Sequence, residues 1–265
     1  MNERAASEDS VLRPIWHMDA GKALFAGPLH HNRGHAHSVP VYLAGLYGRF
    51  RLRVGHGDWH SCRNAVVPAG ITYEFDMEGA PLAVFYLEPG TAHAKALAPL
   101  VRGGFEENGA LLGLAGEVGP LREIFEDRTG PDWAEGALDE LLRFSFRRAP
   151  VSTDARIWRV LQQLYGSYRD LAPVAQVAAE IGLSGSRFQH LFTESVGVPF
   201  RRFRGWCRMR VAIQEILDGS NFTAAAHAAG FADQPHFARE FRRTFGAPAS
   251  PSLASVRPRT KRPAR

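Results

Sequence analysis

The chain has 265 residues, of which 45% are hydrophobic and 22% charged, the balance of a globular protein with room for two domains. No stretch approaches the run of about 20 apolar residues that spans a bilayer, and the acidic, polar start MNERAASEDS is unlike a signal peptide, so a cytoplasmic protein without a membrane partner is expected. Two cysteines, Cys62 and Cys207, lie far apart and exclude a disulfide framework.

Charge divides near Pro150. Residues 1–150 hold 15 Lys and Arg against 19 Asp and Glu, while residues 151–265 hold 17 against 8. A net of −4 joined to a net of +9 points to a polyanion that meets only the second part, with an ordinary basic surface as the alternative.

From about Ala23 to Leu87 glycines break up short, partly alternating runs rich in aromatic and branched residues, such as VYLAGLYGRFRLRVG and PLAVFYLEP. Short strands with a turn every 8 to 12 residues or so predict a small sandwich or barrel. After Pro89 the segments AHAKALAPLV, PLREIFEDR and WAEGALDELLRFSFRR have helical spacing, the last with Trp133, Leu138, Leu141, Leu142 and Phe146 on one broad face.

From Asp154 onward every element reads as helix. Asp154 can cap a helix whose stripe is Ile157, Val160, Leu161, Leu164 and Tyr168. Two later segments, PVAQVAAEIGLSGSRFQHLFTESVG and NFTAAAHAAGFADQPHFAREFRRTFG, follow one pattern: an Ala-rich helix, a glycine (Gly182, Gly230), a cap (Ser184, Asp233), and a longer helix ending at Gly197 or Gly246. That is the grammar of a helix-turn-helix, in which small residues let the second helix cross the first closely. Phe188, Leu191, Phe192 and Val196, and in the second copy Phe237, Phe241 and Phe245, fall on the stripe expected to be buried. Between the copies a helix from Phe200 to Leu217 would hold two readers about one turn of B-DNA apart. Its Trp206 and Cys207 are assigned to packing.

Residues 154 to about 253, notably GLSGSRFQHLFTESVGVPFRRFRGWCRMRVA and AAHAAGFADQPHFAREFRRTFG, resemble the DNA-binding domain of the AraC/XylS family of transcription regulators. The resemblance implies double-stranded DNA as partner, two recognition helices per half-site, a homodimer, and contact with RNA polymerase. By position it puts Ser186, Gln189 and His190, and Gln234, His236 and Arg239, at base edges. Ser184, Arg187, Arg201, Arg204 and Arg243 are the candidates for phosphate contacts, with plain surface charge as the alternative for each arginine. Ser186 is smaller than the residue often found there, and Pro235 stands where others have a polar side chain.

The first 90 residues resemble, on HAHSVPVYLAGLYGRFRLRV, VVPAGITYEF and YLEPG, the cupin-like sensory barrel that precedes that domain in many family members. The implied fold is α+β: a cupin-like effector-binding β-barrel (1–100), helical linker and dimerisation helices (101–150), an all-α domain with two helix-turn-helix motifs joined by a long helix (151–255), and a disordered basic tail (256–265). His35 and His37 form the HxH pair of a metal-binding cupin, but no acid follows at the expected distance and Tyr73 stands where a histidine would. Residues 30–62 hold six of the eleven histidines, which leaves open a divalent metal ion in the barrel. The other reading is an organic effector in a pocket lined by His37, Trp59, Tyr73, Phe75 and Phe85, each of which could equally be barrel core. A DNA-binding regulator controlled by a small-molecule effector is thus expected, with a metal-responsive regulator as the alternative. An enzyme is not expected: the metal set is incomplete, and neither GxSxG nor a phosphate-binding loop occurs.

Overall fold

The computed structural model describes residues 13–19, 21–89, 94–126, 136, 138–143, 154–166, 172–254 and 256. Its N-terminal part is β-rich and its C-terminal part helical. The strands form two antiparallel sheets. The larger has the order β1 (Ile15–Asp19), β2 (Lys22–Pro28), β9 (Pro81–Leu87), β4 (Val41–Gly45), β7 (Asn64–Val67), β11 (Ala110–Gly116), β10 (Val101–Glu107); the smaller is β3 (His31–His35), β8 (Tyr73–Asp76), β5 (Phe50–Val54), β6 (Trp59–Cys62). Of the sandwich or barrel expected from the strand pattern, the pairings give two facing sheets, and the closed barrel implied by the family resemblance is not formed.

The larger sheet is covered on both faces. Val41, Leu43, Val84 and Tyr86 meet Leu52, Tyr73 and Phe75 of the smaller sheet in one core. On the opposite face Leu24, Tyr42 and Phe85 pack under Leu97 of α1 (Ala94–Leu97), Leu121 of α2 (Gly119–Phe125) and Leu138 of helical residues 138–143. Burial on two sides explains why VYLAG and LAVFYL are unbroken apolar runs. The smaller sheet has a solvated outer face, so FRLRV of β5 alternates between buried and exposed.

Residues 101–116 correct the expectation of a helical segment from 101 to 150. They form the hairpin β10–β11, and β11 pairs with β7, so the sheet runs on to Gly116. The reason is local: Asn108 and Gly109 take φ of +48° and +83°, as in the two-residue turn that suits the twist of a hairpin.

In the C-terminal part, α3 (Ala155–Gly166) starts at Asp154, whose carboxylate accepts the Arg156 N–H at 2.9 Å, and buries Ile157, Val160, Leu161 and Leu164. Trp133, Phe146, Tyr168 and the basic tail from residue 257 lie outside the described residues. The first helix-turn-helix is α4 (Val174–Glu180) and α5 (Gly185–Val196); the second is α7 (Phe222–Ala228) and α8 (Gln234–Phe245). Between them runs α6 (Phe200–Leu217), and α9 (Ala249–Leu253) closes the domain. Ser184 accepts the Arg187 N–H at 3.3 Å and Asp233 the His236 N–H at 2.6 Å, each satisfying a donor of the helix's first turn. Gly182 and Gly230 sit at φ of +68° and +74°. Phe188, Phe192, Val196, Phe237, Phe241 and Phe245 are buried, while Leu191 is half-buried. One core continues from the sandwich into the helices.

Candidate nucleic-acid interface and interdomain cavity

The two longer helices each turn an apolar stripe inward and a polar face outward. On α5, Ser186, Arg187, Gln189 and His190 are exposed, beside the exposed cap Ser184. On α8, Gln234 and Arg239 are exposed and His236 half-buried. Two of these side chains are held in place: the Gln234 Oε1 accepts from the Thr223 hydroxyl at 2.9 Å, and the His236 Nδ1 accepts the Ala232 N–H at 3.3 Å. The second bond fixes the tautomer and leaves the His236 Nε2–H as a donor. Pro235 occupies the first turn of α8, where a missing N–H costs no helical bond. Arg201 and Arg243 are exposed, the latter ion-paired with Glu240. Arg204 is half-buried over the Phe200 ring, which makes it the least free of the arginines named as phosphate candidates.

A second feature lies where the sandwich meets the helices. A cavity of about 30 Å³ is lined by Trp16, Phe25, His37, Tyr73 and Tyr86 from the sandwich and by Phe241, Phe245 and Ser252 from the C-terminal part. That is room for one or two waters. Asn32 and His35 also line it, because a bulge in β3 between them brings both inward. The Asn32 amide donates to the Phe245 carbonyl at 2.7 Å, the Trp16 indole to the Ser252 carbonyl at 3.1 Å, and the Arg33 N–H to the Gly246 carbonyl at 3.3 Å. Gly246, at φ +70°, leaves no room for a side chain: a Cβ there would stand 2.5 Å from the His35 Nδ1 and 2.6 Å from the Arg33 carbonyl.

The polar groups of the cavity are uncharged. Burial lowers the His35 imidazole to about 4, and its Nδ1–H donates to the Arg33 carbonyl at 2.7 Å. Burial, with the charges of His35 and Arg202 nearby, holds His37 well below the ordinary histidine range, and burial raises the Tyr73 phenol. Both side chains are almost wholly enclosed, at 2% and 1% exposure, and neither the His37 Nδ1 nor the Tyr73 hydroxyl has a hydrogen-bond partner. Such groups cost about 1–3 kcal/mol each when left unmade.

Below the cavity α6 is bolted to the sandwich. The Glu88 carboxylate, fully buried, accepts from the Trp206 indole at 2.8 Å and pairs with Arg210 at 2.7 Å. Arg210 donates further to the carbonyls of Lys22 at 3.1 Å and Asp19 at 2.5 Å. Arg202 reaches the Ala36 carbonyl at 2.7 Å, and the Ser38 hydroxyl donates to the Arg202 carbonyl at 3.2 Å.

Of the residues read from sequence as pocket candidates, His37, Tyr73 and Phe75 line this cavity and two do not. Phe85 alternates with Val84 and Tyr86 on β9 and so faces the helices on the other side of its sheet. Trp59 lies on β6 under the Arg51 and Arg53 guanidinium groups, which stand 5.0 and 5.1 Å from its ring. As for a metal, the His35 and His37 rings are 4.9 Å apart, but among the described residues no three His, Cys, Asp or Glu side chains are arranged to hold an ion. His30, His31 and His56 are exposed, and His60 faces Glu107 at 3.6 Å. Sequence reasoning missed Trp16, Phe25, Asn32 and Tyr86 as lining residues, and it gave Phe245 to its own helix alone.

Residues 177–252 match a family model described as a helix-turn-helix domain. No curated protein matches the chain. Among solved structures the fold is similar to that of an apo variant of ToxT from Vibrio cholerae, at 14% identity, covering 90% of this chain and 99% of that one, with a TM-score of 0.61. It is also similar to ToxT bound to an unsaturated fatty acid, at 14% identity, 90% and 96% coverage and a TM-score of 0.57. A third ToxT structure, bound to (E)-4-(8-methylnaphthalen-1-yl)but-3-enoic acid, aligns at 12% identity over 89% of this chain and 100% of that one, with a TM-score of 0.59. Residues 177–252, which hold α5, α6, α7 and α8, are thus a helix-turn-helix domain.

Proposed function

We propose that this protein is an AraC-type transcription regulator that reads DNA with α5 and α8, and that a small molecule held in the interdomain cavity controls the reading. Ser186, Gln189 and His190 on α5, and Gln234, His236 and Arg239 on α8, address base edges in successive major grooves. Arg187, Arg201, Arg204 and Arg243, with Ser184 at the start of α5, contact phosphates and add affinity without sequence preference. The observation that carries control by an effector is shared lining: Phe241 and Phe245 of the second reader form one wall of a cavity whose other walls are the sandwich. A ligand there differs in its contacts between docked and released arrangements of α8, which is what coupling requires. The ligand-bound ToxT structures support a fold of this kind holding a small molecule.

In this reading the sandwich of residues 13–116 is a cupin-like effector domain, α2 and the helical residues 138–143 connect and dimerise it, and the helical C-terminal part from Asp154 binds DNA. The protein acts in the cytoplasm as a homodimer that meets RNA polymerase at its promoter. The test is DNA binding by the full chain and by two variants, one with Gln189→Ala and His190→Ala and one with Arg239→Ala. Each variant should lose sequence preference at its own half of the site while the other half is kept. Loss of affinity without any change in preference would mean that these faces touch only the backbone.

A further inference from the structure

Resting on the reading of the cavity as the effector site, we infer that the effector is an uncharged aromatic molecule bearing a hydroxyl or carbonyl, and that it binds where the Phe245 ring now lies.

Three observations carry this. First, Phe245 already behaves toward the sandwich as an aromatic guest. Its ring lies 5.7 Å from Trp16, 5.6 Å from His37 and 5.9 Å from Tyr86, in a cage made mostly by another part of the chain. The sandwich therefore selects a flat apolar ring at this position. Second, that guest leaves the site unsatisfied. His37 and Tyr73 both line this cavity, the Nδ1 of the one and the hydroxyl of the other are enclosed and lack hydrogen-bond partners, and a phenyl ring can supply neither a donor nor an acceptor. A ring carrying a hydroxyl or carbonyl can. Third, among the described residues the lining contains no lysine, arginine, aspartate or glutamate. A carboxylate or an ammonium buried here would lose its hydration with no ion pair in the lining to replace it: the nearby Arg202 is turned to the Ala36 carbonyl at 2.7 Å, and burial opposes protonation of both histidines, so a charged ligand is disfavoured. The acids found on ToxT are thus the wrong charge class for this cavity.

Size then decides what moves. At about 30 Å³ the cavity holds one or two waters and no aromatic ring. The sandwich lining comes largely from hydrogen-bonded strands, whereas Phe245 is the last residue of α8 and is held there by ring packing and the few bonds around Gly246. The Phe245 side chain gives way, and with it the end of the second reader.

The experiment is calorimetric titration of the full chain at pH 7 with four probes of similar size: phenol, toluene, benzoate and benzylamine. It is repeated on Phe245→Ala and on Phe245→Ala combined with Tyr73→Phe. Phenol should bind Phe245→Ala at least tenfold more tightly than the unaltered chain and at least tenfold more tightly than toluene. The preference over toluene should shrink at least threefold with Tyr73→Phe, and benzoate and benzylamine should not bind. Benzoate or benzylamine binding as well as phenol, or toluene binding equally well, would overturn the inference while leaving an effector cavity in place. Failure of every probe to bind a folded Phe245→Ala protein, judged by circular dichroism and a cooperative urea transition, would remove the cavity from the function altogether. Where Phe245→Ala does not fold, Phe245→Leu gives the same comparison with a smaller opening.

Discussion

His35 sets a pH dependence that can be worked out from its surroundings. It is 5% exposed, and burial lowers its imidazole from 6.5 to about 4. Between those values the unfolded chain takes up a proton that the folded chain refuses, so stability is complete above about 6.5 and falls as pH drops toward 4. The loss is up to about 1.4 kcal/mol per pH unit over that window, and His37 acts in the same direction. Urea midpoints between pH 7.5 and 4.5 should show this slope, and His35→Gln should flatten it; an unchanged slope would mean other groups set it. At the protein surface, Arg239→Ala should weaken binding to the selected DNA by about 1–3 kcal/mol, whereas Arg187→Ala should weaken all sequences alike and lower the salt slope by about one unit. Titration of binding by fluorescence anisotropy at several salt concentrations separates the two. At this scale sequence reading placed His37, Tyr73 and Phe75 together but could not tell Phe85 from its neighbour Tyr86. In a strand buried on both faces the alternation that would assign them is absent.

Among the elements, the helix-turn-helix units were readable because caps, glycines and aromatic stripes agree in each copy. The hairpin β10–β11 was not read, although its Asn108–Gly109 turn is the strongest short signal for one. Two glycines in VRGGFEE and an outer β10 that is mostly exposed hid the alternation expected of a strand. The end of α8 tests how its termination and its docking combine. Gly246→Ala must accept the left-handed backbone, at about 1–2 kcal/mol, and must also push His35 and the Arg33 carbonyl away. Stability in urea should fall by more than the backbone cost alone; a smaller loss would mean that this junction yields easily. Asp233→Ala, which removes the cap of α8, should cost about 1 kcal/mol and weaken DNA binding by disordering the first turn, where Gln234 and His236 lie.

Across the whole molecule, the bond between the sandwich and the connecting helix α6 runs through Glu88, Trp206 and Arg210. Sequence reading took Trp206 as packing, which its 1% exposure matches, but its indole bond to Glu88 needed both domains in view. Glu88 directly follows the buried run of β9, and such an acid is the kind of residue to suspect of a distant partner. Glu88→Gln should cost about 3–5 kcal/mol, because it leaves Arg210 buried without its carboxylate, and chemical denaturation of the full chain reads this directly. The charge split and the 18-residue α6 were legible and suffice for the two-reader geometry; the cavity was not, since its walls come from segments over 200 residues apart. At about 1.5 Å per residue α6 spans about 27 Å, with the two readers at its ends, close to the 34 Å or so between successive major grooves. The most direct test is selection of DNA from a randomised library by the full chain at physiological salt. The account predicts an enriched motif with two blocks whose centres lie about 10–11 base pairs apart. A single block, or no enrichment over unselected DNA, would contradict it.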